Sequence, residues 1–468
     1  MKGTSQSTDT VTRNAPAGYL YWWLLLALFV EYARPASFVP ALQVPYLYSA
    51  IPLLLFIATL FAKGLLPLST ILSDGGAKWV FAFLALVTVS VITAEVTTYA
   101  FEVFKLVFGY VIIFILIARI ATTEDRLGGV FAVLLVAHLF LLVMNPAVVL
   151  DPGGRHYITG ANFLGDGNDF ALSLCILFPL TLYLAKSSRK RVWKLLLWVC
   201  AAVIVAAIIG SQSRGAALGM GVVLIYLWLQ SPRKLGAIAV AAVVGVGALV
   251  YAPPVYFSRM STIQHYQDDG SAQGRIQAWK AGAQMAARNP LLGIGAGHFG
   301  ARWYRAAHSS YALALAELGV PGVVCYLMIV FGNLAANARS RRGLIHTTGE
   351  APGAPSVKKR EILFATSAAM MGFAVAGAFL SATYYPHVYV LSAVMIAARL
   401  LPETLRRRSS QCDNYDHPNN APRRHGAAFR RVAIDPRVAA PSSKLQRRQN
   451  GPGSAQPGGS QRRTTSDT

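Results

Sequence analysis

Apolar residues dominate twelve stretches of the chain, near 18–36, 46–62, 78–95, 101–121, 128–148, 170–186, 193–210, 215–230, 235–252, 310–336, 362–382 and 387–401, with short polar connections between most of them. A helix needs about 20 apolar residues to cross a hydrocarbon core of roughly 30 Å, so this pattern predicts an all-α, polytopic membrane protein with about 12 transmembrane helices. One connection, 253–309, is much longer than the rest. Within it, Gln273 to Arg288 has helical composition and stops at Asn289-Pro290, so the connection is expected to contain short helices. Beyond Arg399 the apolar pattern ends. Stretches such as Arg406-Arg407-Arg408 and Pro452 to Pro457 cannot bury enough apolar surface to build a core. The expected organisation is a transmembrane domain over 1–401 and a basic, disordered tail over 402–468.

Composition agrees with a bilayer as solvent, because 54% of residues are hydrophobic and 13% charged, where soluble domains carry about 25% charged residues. A net charge of +23 could suggest nucleic acid, but the basic residues follow the loops expected on the cytoplasmic side. Lys63 and Lys78 flank the second loop, and Arg119 and Arg126 the fourth. Lys186, Arg189, Lys190, Arg191 and Lys194 lie at the sixth, Arg233 and Lys234 at the eighth, and Arg339, Arg341, Arg342, Lys358, Lys359 and Arg360 at the tenth. The odd loops hold single arginines at 34, 155 and 214, and a handful in 253–309. Both termini are therefore expected in the cytoplasm, with loop 253–309 facing away from it. The leader carries Lys2 and Arg13 and no small-residue cleavage site, so the first span reads as an uncleaved anchor. The tail reads as a solvated segment that enforces topology, or as a binder of anionic lipid headgroups at about 1 kcal/mol per basic residue. Cys175, Cys200 and Cys325 lie in apolar stretches and Cys412 in the tail, so no disulfide framework or metal site is visible.

The unusual polar residues fall in three segments of the side facing away from the cytoplasm. Gly165-Asp166-Gly167-Asn168-Asp169-Phe170 opens the sixth span, where Asp166 and Asp169 either cap the helix or serve a site. The string lacks the later ligands of a calcium loop, so no metal is expected. Ser211-Gln212-Ser213-Arg214-Gly215 leaves Arg214 close to the membrane boundary, as an interface anchor or a functional residue. In the long loop, Arg275 and Trp279 are spaced to share a helix face. Gly295 to Gly300 spells GxGxxG, but no strand precedes it, which leaves a plain turn or a backbone approach to phosphate. His308-Ser309-Ser310-Tyr311 then leads into the tenth span, followed by Glu317-Leu318-Gly319. A histidine can accept a proton from a sugar hydroxyl, and two arginines can hold a diphosphate through forked donors, the set that inverting glycosyl transfer from a diphosphate carrier needs.

Ser213-Arg214-Gly215, then Gly274-Arg275-Ile276-Gln277-Ala278-Trp279, then Asn289-Pro290-Leu291-Leu292-Gly293-Ile294-Gly295, then His308 with Glu317 and Gly319, resemble in order the O-antigen ligase family. That family includes O-antigen polymerases and bacterial protein O-oligosaccharyltransferases, and the resemblance spans roughly residues 155–330. Glu31-Tyr32-Ala33-Arg34-Pro35 is also similar to ligase-like proteins linked to exosortase gene clusters. The resemblance implies an inverting transferase that needs neither metal nor cofactor. It would move a glycan en bloc from undecaprenyl diphosphate to lipid A core, another glycan or a protein, on the periplasmic face of the bacterial inner membrane. Arg214 and Arg275 match the family's diphosphate-binding arginines and His308 its acceptor-activating histidine. Ser309 stands where the family often has Asn, which leaves the acceptor details open, and His298 is close enough to share or usurp the role of base. A transporter or flippase would usually place charges in interrupted helices at mid-membrane, whereas spans 235–252 and 362–382 are almost free of ionisable groups. A scaffold would leave the arginine and histidine set unexplained.

Overall fold

A computed structural model describes residues 18–44, 46–154, 156–231, 234–261, 270–345 and 355–401, and these are helical with no strand among them. The leader 1–17, the tail from 402 with Cys412, and the loop arginines Arg155 and Arg233 lie outside the described residues. By its contacts the chain divides into Met1–Arg406 and Arg407–Thr468, the second wholly outside them.

The chain opens with α1 (Gly18–Ala33), α2 (Leu47–Phe61) and the short α3 (Leu68–Leu72). Three long helices follow, α4 (Gly75–Thr93), α5 (Thr97–Ile120) and α6 (Glu124–Met144), then the short α7 (Ala147–Leu150). Next come α8 (Gly167–Ser187), α9 (Arg191–Gly210), α10 (Arg214–Gln230) and α11 (Lys234–Tyr251). The long connection forms α12 (Pro254–Ser261), α13 (Gly270–Arg288) and α14 (Phe299–Arg302). The last set is α15 (Ser310–Leu327), α16 (Asn333–Ile345), α17 (Pro355–Ala376) and α18 (Pro386–Leu400).

Each of the twelve apolar stretches forms helix, and two of the early starts are set by caps. Asp74 accepts the Gly76 N–H and starts α4 before 78, and Thr123 accepts the Arg126 N–H and starts α6 before 128. Among the described residues, seven helical segments are long and apolar enough to cross a membrane: α4, α5, α6, α8, α9, Ser310–Leu344 and Ser356–Phe379. Helices α1, α2, α10 and α18 are shorter apolar helices.

The tenth stretch departs from a simple span. Gly319, at φ 68° and ψ −165°, breaks α15, and a five-residue π turn, Met328–Gly332, joins α15 to α16. The break lies about 14 Å along the helix at 1.5 Å per residue. Ile294 and Gly295 donate their N–H groups to the Ala316 and Glu317 carbonyls, while the Val320 N–H reaches Pro290 O at 2.8 Å. A backbone interruption within a membrane protein is tolerated where protein satisfies it in this way.

Residues Pro386 to Ala398 of α18 are all buried, as is most of α5 from Tyr110 to Ala118, so these two helices form the centre of the bundle. Large apolar side chains such as Trp22, Ile92, Val143 and Val192 point outward, the surface that lipid would cover. Small residues bring α10 and α17 together: a Cβ on Gly219 would sit 3.1 Å from both Ala376 Cβ and Gly372 O. Contacts sort the connections to two ends. At one end the start of α4 meets the end of α18, and the end of α8 meets α17 through Lys186–Glu361. At the other end α15 packs on α13, and Trp279 of α13 lies beside Phe379 of the connection that follows α17.

Candidate functional site

The turn before Arg214 is fastened from three sides. Ser211 Oγ donates to Ile208 O at 2.6 Å, and Ser213 caps α10 by accepting the Ala216 N–H. Gln212 between them takes φ 53°, an uncommon torsion for a residue with a side chain. Its amide Nε2 donates to the carbonyls of Pro152, Gly153 and Gly154 at 2.9–3.3 Å, and its Oε1 accepts from Arg259 Nη1 at 3.0 Å. Arg214 is thereby the half-buried first residue of α10, at the helix end whose dipole favours anions.

Helix α13 carries Arg275 and is laced to the segment 303–308. Tyr304 OH donates to Gln277 Oε1 at 3.2 Å, and Trp279 Nε1 donates to Ala307 O at 3.0 Å. His308 follows directly, half-buried, with φ 46°. Its N–H donates to Ser381 Oγ at 2.9 Å. Ser309 accepts the Ala312 N–H and caps α15, so its hydroxyl has a structural task. Burial, and then the charge of Arg275, hold the His308 imidazole below its ordinary value, with Asp166 pulling it up and Arg305 pushing it further down. Charges from residues far apart in sequence thus act on one ring, and their balance with burial favours its neutral form, the form that accepts a proton.

The glycine-rich segment is a packed turn. Gly293, Gly295 and Gly297 have φ of 66°, 100° and 76°, and a Cβ on Gly297 would lie 2.9 Å from Tyr99 O. Its donors are taken within the chain: Ala296 N–H reaches Ser90 Oγ at 2.7 Å, and Gly297 and Phe299 N–H reach the Glu317 carboxylate at 2.9 and 2.8 Å. Glu317 is 2% exposed and also accepts from Tyr384 OH at 2.8 Å. His298 is 1% exposed, with Nε2 accepting the Val96 N–H at 3.1 Å and Nδ1 donating to Ala296 O at 3.0 Å.

Asp166 caps α8 through the Asn168 N–H and side-chain amide, both at 2.7 Å, while its charge reaches His308. Asp169 accepts from Tyr385 OH at 3.1 Å.

The segment 377–385, between α17 and α18, joins these parts and was not singled out by the sequence reading. A Cβ on Gly215 would lie 3.1 Å from Phe379, whose ring is 6.4 Å from that of Trp279. Ser381 holds His308, and Thr383 Oγ1 donates to Ser310 O at 2.8 Å. Ser310 Oγ donates to Leu380 O and accepts the Ala382 N–H. Tyr384 and Tyr385 reach Glu317 and Asp169. The apolar character of its neighbours in α17 hid this segment, since serines and tyrosines at a span's end usually read as interface residues.

Sequence reading also passed over interior polar residues. His138 Nε2 meets Ser173 Oγ at 2.5 Å, and His387 is 2% exposed with neither ring nitrogen hydrogen-bonded among the described residues. With Tyr32 they line a cavity of about 20 Å³, space for one water. No group of three or more His, Cys, Asp or Glu placed to hold a metal occurs among the described residues.

Residues 199–327 match the family model described as O-antigen ligase. The match takes in Arg214, Arg275, His298, His308 and Glu317, and leaves out Asp166, Asp169 and the segment 377–385. It supports the family resemblance read from the motifs, and with the apolar helices it supports a membrane enzyme of ligase or polymerase type. A search of curated proteins gave no match to this chain.

Proposed function

We propose that the chain is a membrane glycosyltransferase that moves a glycan en bloc from undecaprenyl diphosphate to an acceptor hydroxyl at the periplasmic face of the bacterial inner membrane. The observation that carries this reading is the lacing of α13, which bears Arg275, to the segment ending in His308, through Trp279 to Ala307 O and Tyr304 to Gln277, with burial and the Arg275 charge holding the half-buried imidazole below its ordinary value. In the step proposed, the acceptor oxygen attacks the anomeric carbon, His308 takes the hydroxyl proton, and the bond from that carbon to the phosphate oxygen breaks with inversion. The diphosphate leaves with the bonding electrons, and Arg214 and Arg275 offset its growing charge, a task that needs no metal or cofactor.

His298 and Glu317 act on this reading as positioning residues, because their polar atoms hold the glycine turn and the α4–α5 connection. Asp166 caps α8 and tunes His308. The twelve-span topology follows from the alternation of basic loops: the ion-paired end faces the cytoplasm with both termini, and the α13 end, with 253–309, faces the periplasm.

The experiment is glycan transfer by the purified chain in liposomes from undecaprenyl diphosphate glycan, with and without chelator. Transfer that survives chelator supports the reading, and abolition by chelator overturns the metal-free step. Acceptor class follows from the product: modified lipid A core, lengthened glycan or glycosylated protein. Reporter fusions at 190 and 285 should report cytoplasm and periplasm, and a cytoplasmic signal at 285 would end the reading.

A further inference from the structure

We propose that Arg305 is a further anion-binding residue of this site, set beside Arg275 to hold a phosphate oxyanion of the substrate. The proposal rests on the transferase reading and names a residue which that reading does not use.

The first observation is Gly274, one residue before Arg275 and inside the second turn of α13. Glycine is a poor helix residue, and Gly274 has no positive φ that would require it. What requires it is space: a Cβ at this position would collide with the Arg305 guanidinium. Helix α13 thus gives up a side chain to seat an arginine against the residue preceding Arg275. The second observation is how Arg305 is held. Its guanidinium lies over the Tyr304 ring, 5.3 Å from the centroid, and Tyr304 is tied by its hydroxyl to Gln277 on the same helix. Arg305 is exposed and makes no hydrogen bond or ion pair among the described residues, unlike Arg302, which pairs with Glu95, and Arg259, which bonds Gln212.

Arg275 and Arg305 both act on His308, so two guanidinium charges share one patch with the single carboxylate of Asp166, a balance that favours an anion. The fork of each matches a phosphate, and stacking on Tyr304 sets the arginine in place before any ligand arrives. The groups that face His308 from the elements around it are Arg275 on α13, Asp166 at the start of α8, Arg305 in its own segment and Ser381 from 377–385. The oxyanion belongs either to the donor diphosphate or to a phosphate on the acceptor.

The test compares wild type, Arg305→Ala, Arg305→Lys and Gly274→Ala as full chains in liposomes, using inorganic pyrophosphate as binding probe and transfer kinetics as second readout. Arg305→Ala should weaken pyrophosphate binding about tenfold, as loss of a charge-assisted contact does, with Lys rescuing in part. Gly274→Ala should reproduce the loss although Arg275 and Arg305 are both present, because the new methyl displaces the guanidinium. A raised KM for undecaprenyl diphosphate glycan identifies the donor as the source. A raised KM for a phosphorylated acceptor that disappears with its dephosphorylated form identifies the acceptor. The acid limb of the pH profile should also move to higher pH in Arg305→Ala, since a charge that lowers the His308 pKa is gone. Pyrophosphate affinity and both KM values at wild-type level in Arg305→Ala overturn the proposal. Absence of transfer by the wild type overturns the transferase reading, while the pyrophosphate measurement still decides the role of Arg305.

Discussion

The two ends of the bundle are held by different chemistry. At one end Arg399 grips Asp74 with both arms of its fork at 2.8 Å and also donates to Asn337 and Asn333 at 2.6 and 2.7 Å. Lys186 pairs with Glu361 at 2.6 Å, and Lys359 donates to Leu401 O at 2.9 Å. At the α13 end Arg302 pairs with Glu95, but the turns around His308 are fastened by hydroxyls, amides and the carboxylate of Glu317, while Arg275 and Arg305 act on the histidine. An end whose cations are matched within the chain stabilises the bundle. At the α13 end the turns around His308 are held by other groups, and on the proposed reading its arginines serve a substrate.

Substitutions at each end should separate these roles. The largest effect is expected for His308→Ala, which removes a base worth typically 10² to 10⁴-fold, measured as transfer rate with melting temperature unchanged. Loss of melting temperature with retained transfer would put His308 in the stabilising class.

Arg399→Ala should come next and do the reverse, lowering stability by about 3 kcal/mol because the half-buried Asp74 loses its charge partner. Burial alone would raise the Asp74 pKa, but the bonds from Arg399 and the Gly76 and Ala77 amides outweigh it and hold the carboxyl below its ordinary value. Its contribution to stability is therefore full above the unfolded value and is lost as pH falls through the lower folded one. Melting in the acid range should show this loss in wild type and not in Arg399→Ala.

Ser381→Ala leaves the His308 N–H without its acceptor, and an unsatisfied donor costs about 1–3 kcal/mol. A smaller fall in kcat than in His308→Ala, with donor KM retained, marks Ser381 as a positioning residue. The smallest expected change is a shift of the pH profile. Arg275 lowers the His308 pKa, so Arg275→Ala should move the acid limb to higher pH, and Asp166→Asn, which removes a raising charge, should move it to lower pH. Shifts in the same direction would contradict the electrostatic picture.

The helices were legible because the first 401 residues alternate long apolar stretches with mostly short polar connections. The break at Gly319 was not, since Gly319 and Pro321 lie in an otherwise apolar run and the partners that satisfy the break come from 290–295. Arg214 stood out as a charge near a membrane boundary, Arg275 by sharing a helix face with Trp279 in the long loop, and His308 as a titratable group at the start of a span. The roles of Gly274, Gln212 and Ser381 depend on neighbours distant in sequence and are visible only once the chain is folded. The GxGxxG string shows the limit from the other side: its spacing fits a phosphate loop, yet Ser90 and Glu317 take the N–H groups of Ala296, Gly297 and Phe299.

The measurement that bears most directly on the division of the two ends is transfer rate per folded molecule and melting temperature, taken on the same preparations of Arg214→Ala and Arg399→Ala. Arg214→Ala is expected to lose transfer and keep its melting temperature, while Arg399→Ala melts lower and transfers at the wild-type rate per folded molecule. Near wild-type transfer by Arg214→Ala, or loss of transfer by folded Arg399→Ala, would overturn that division of labour.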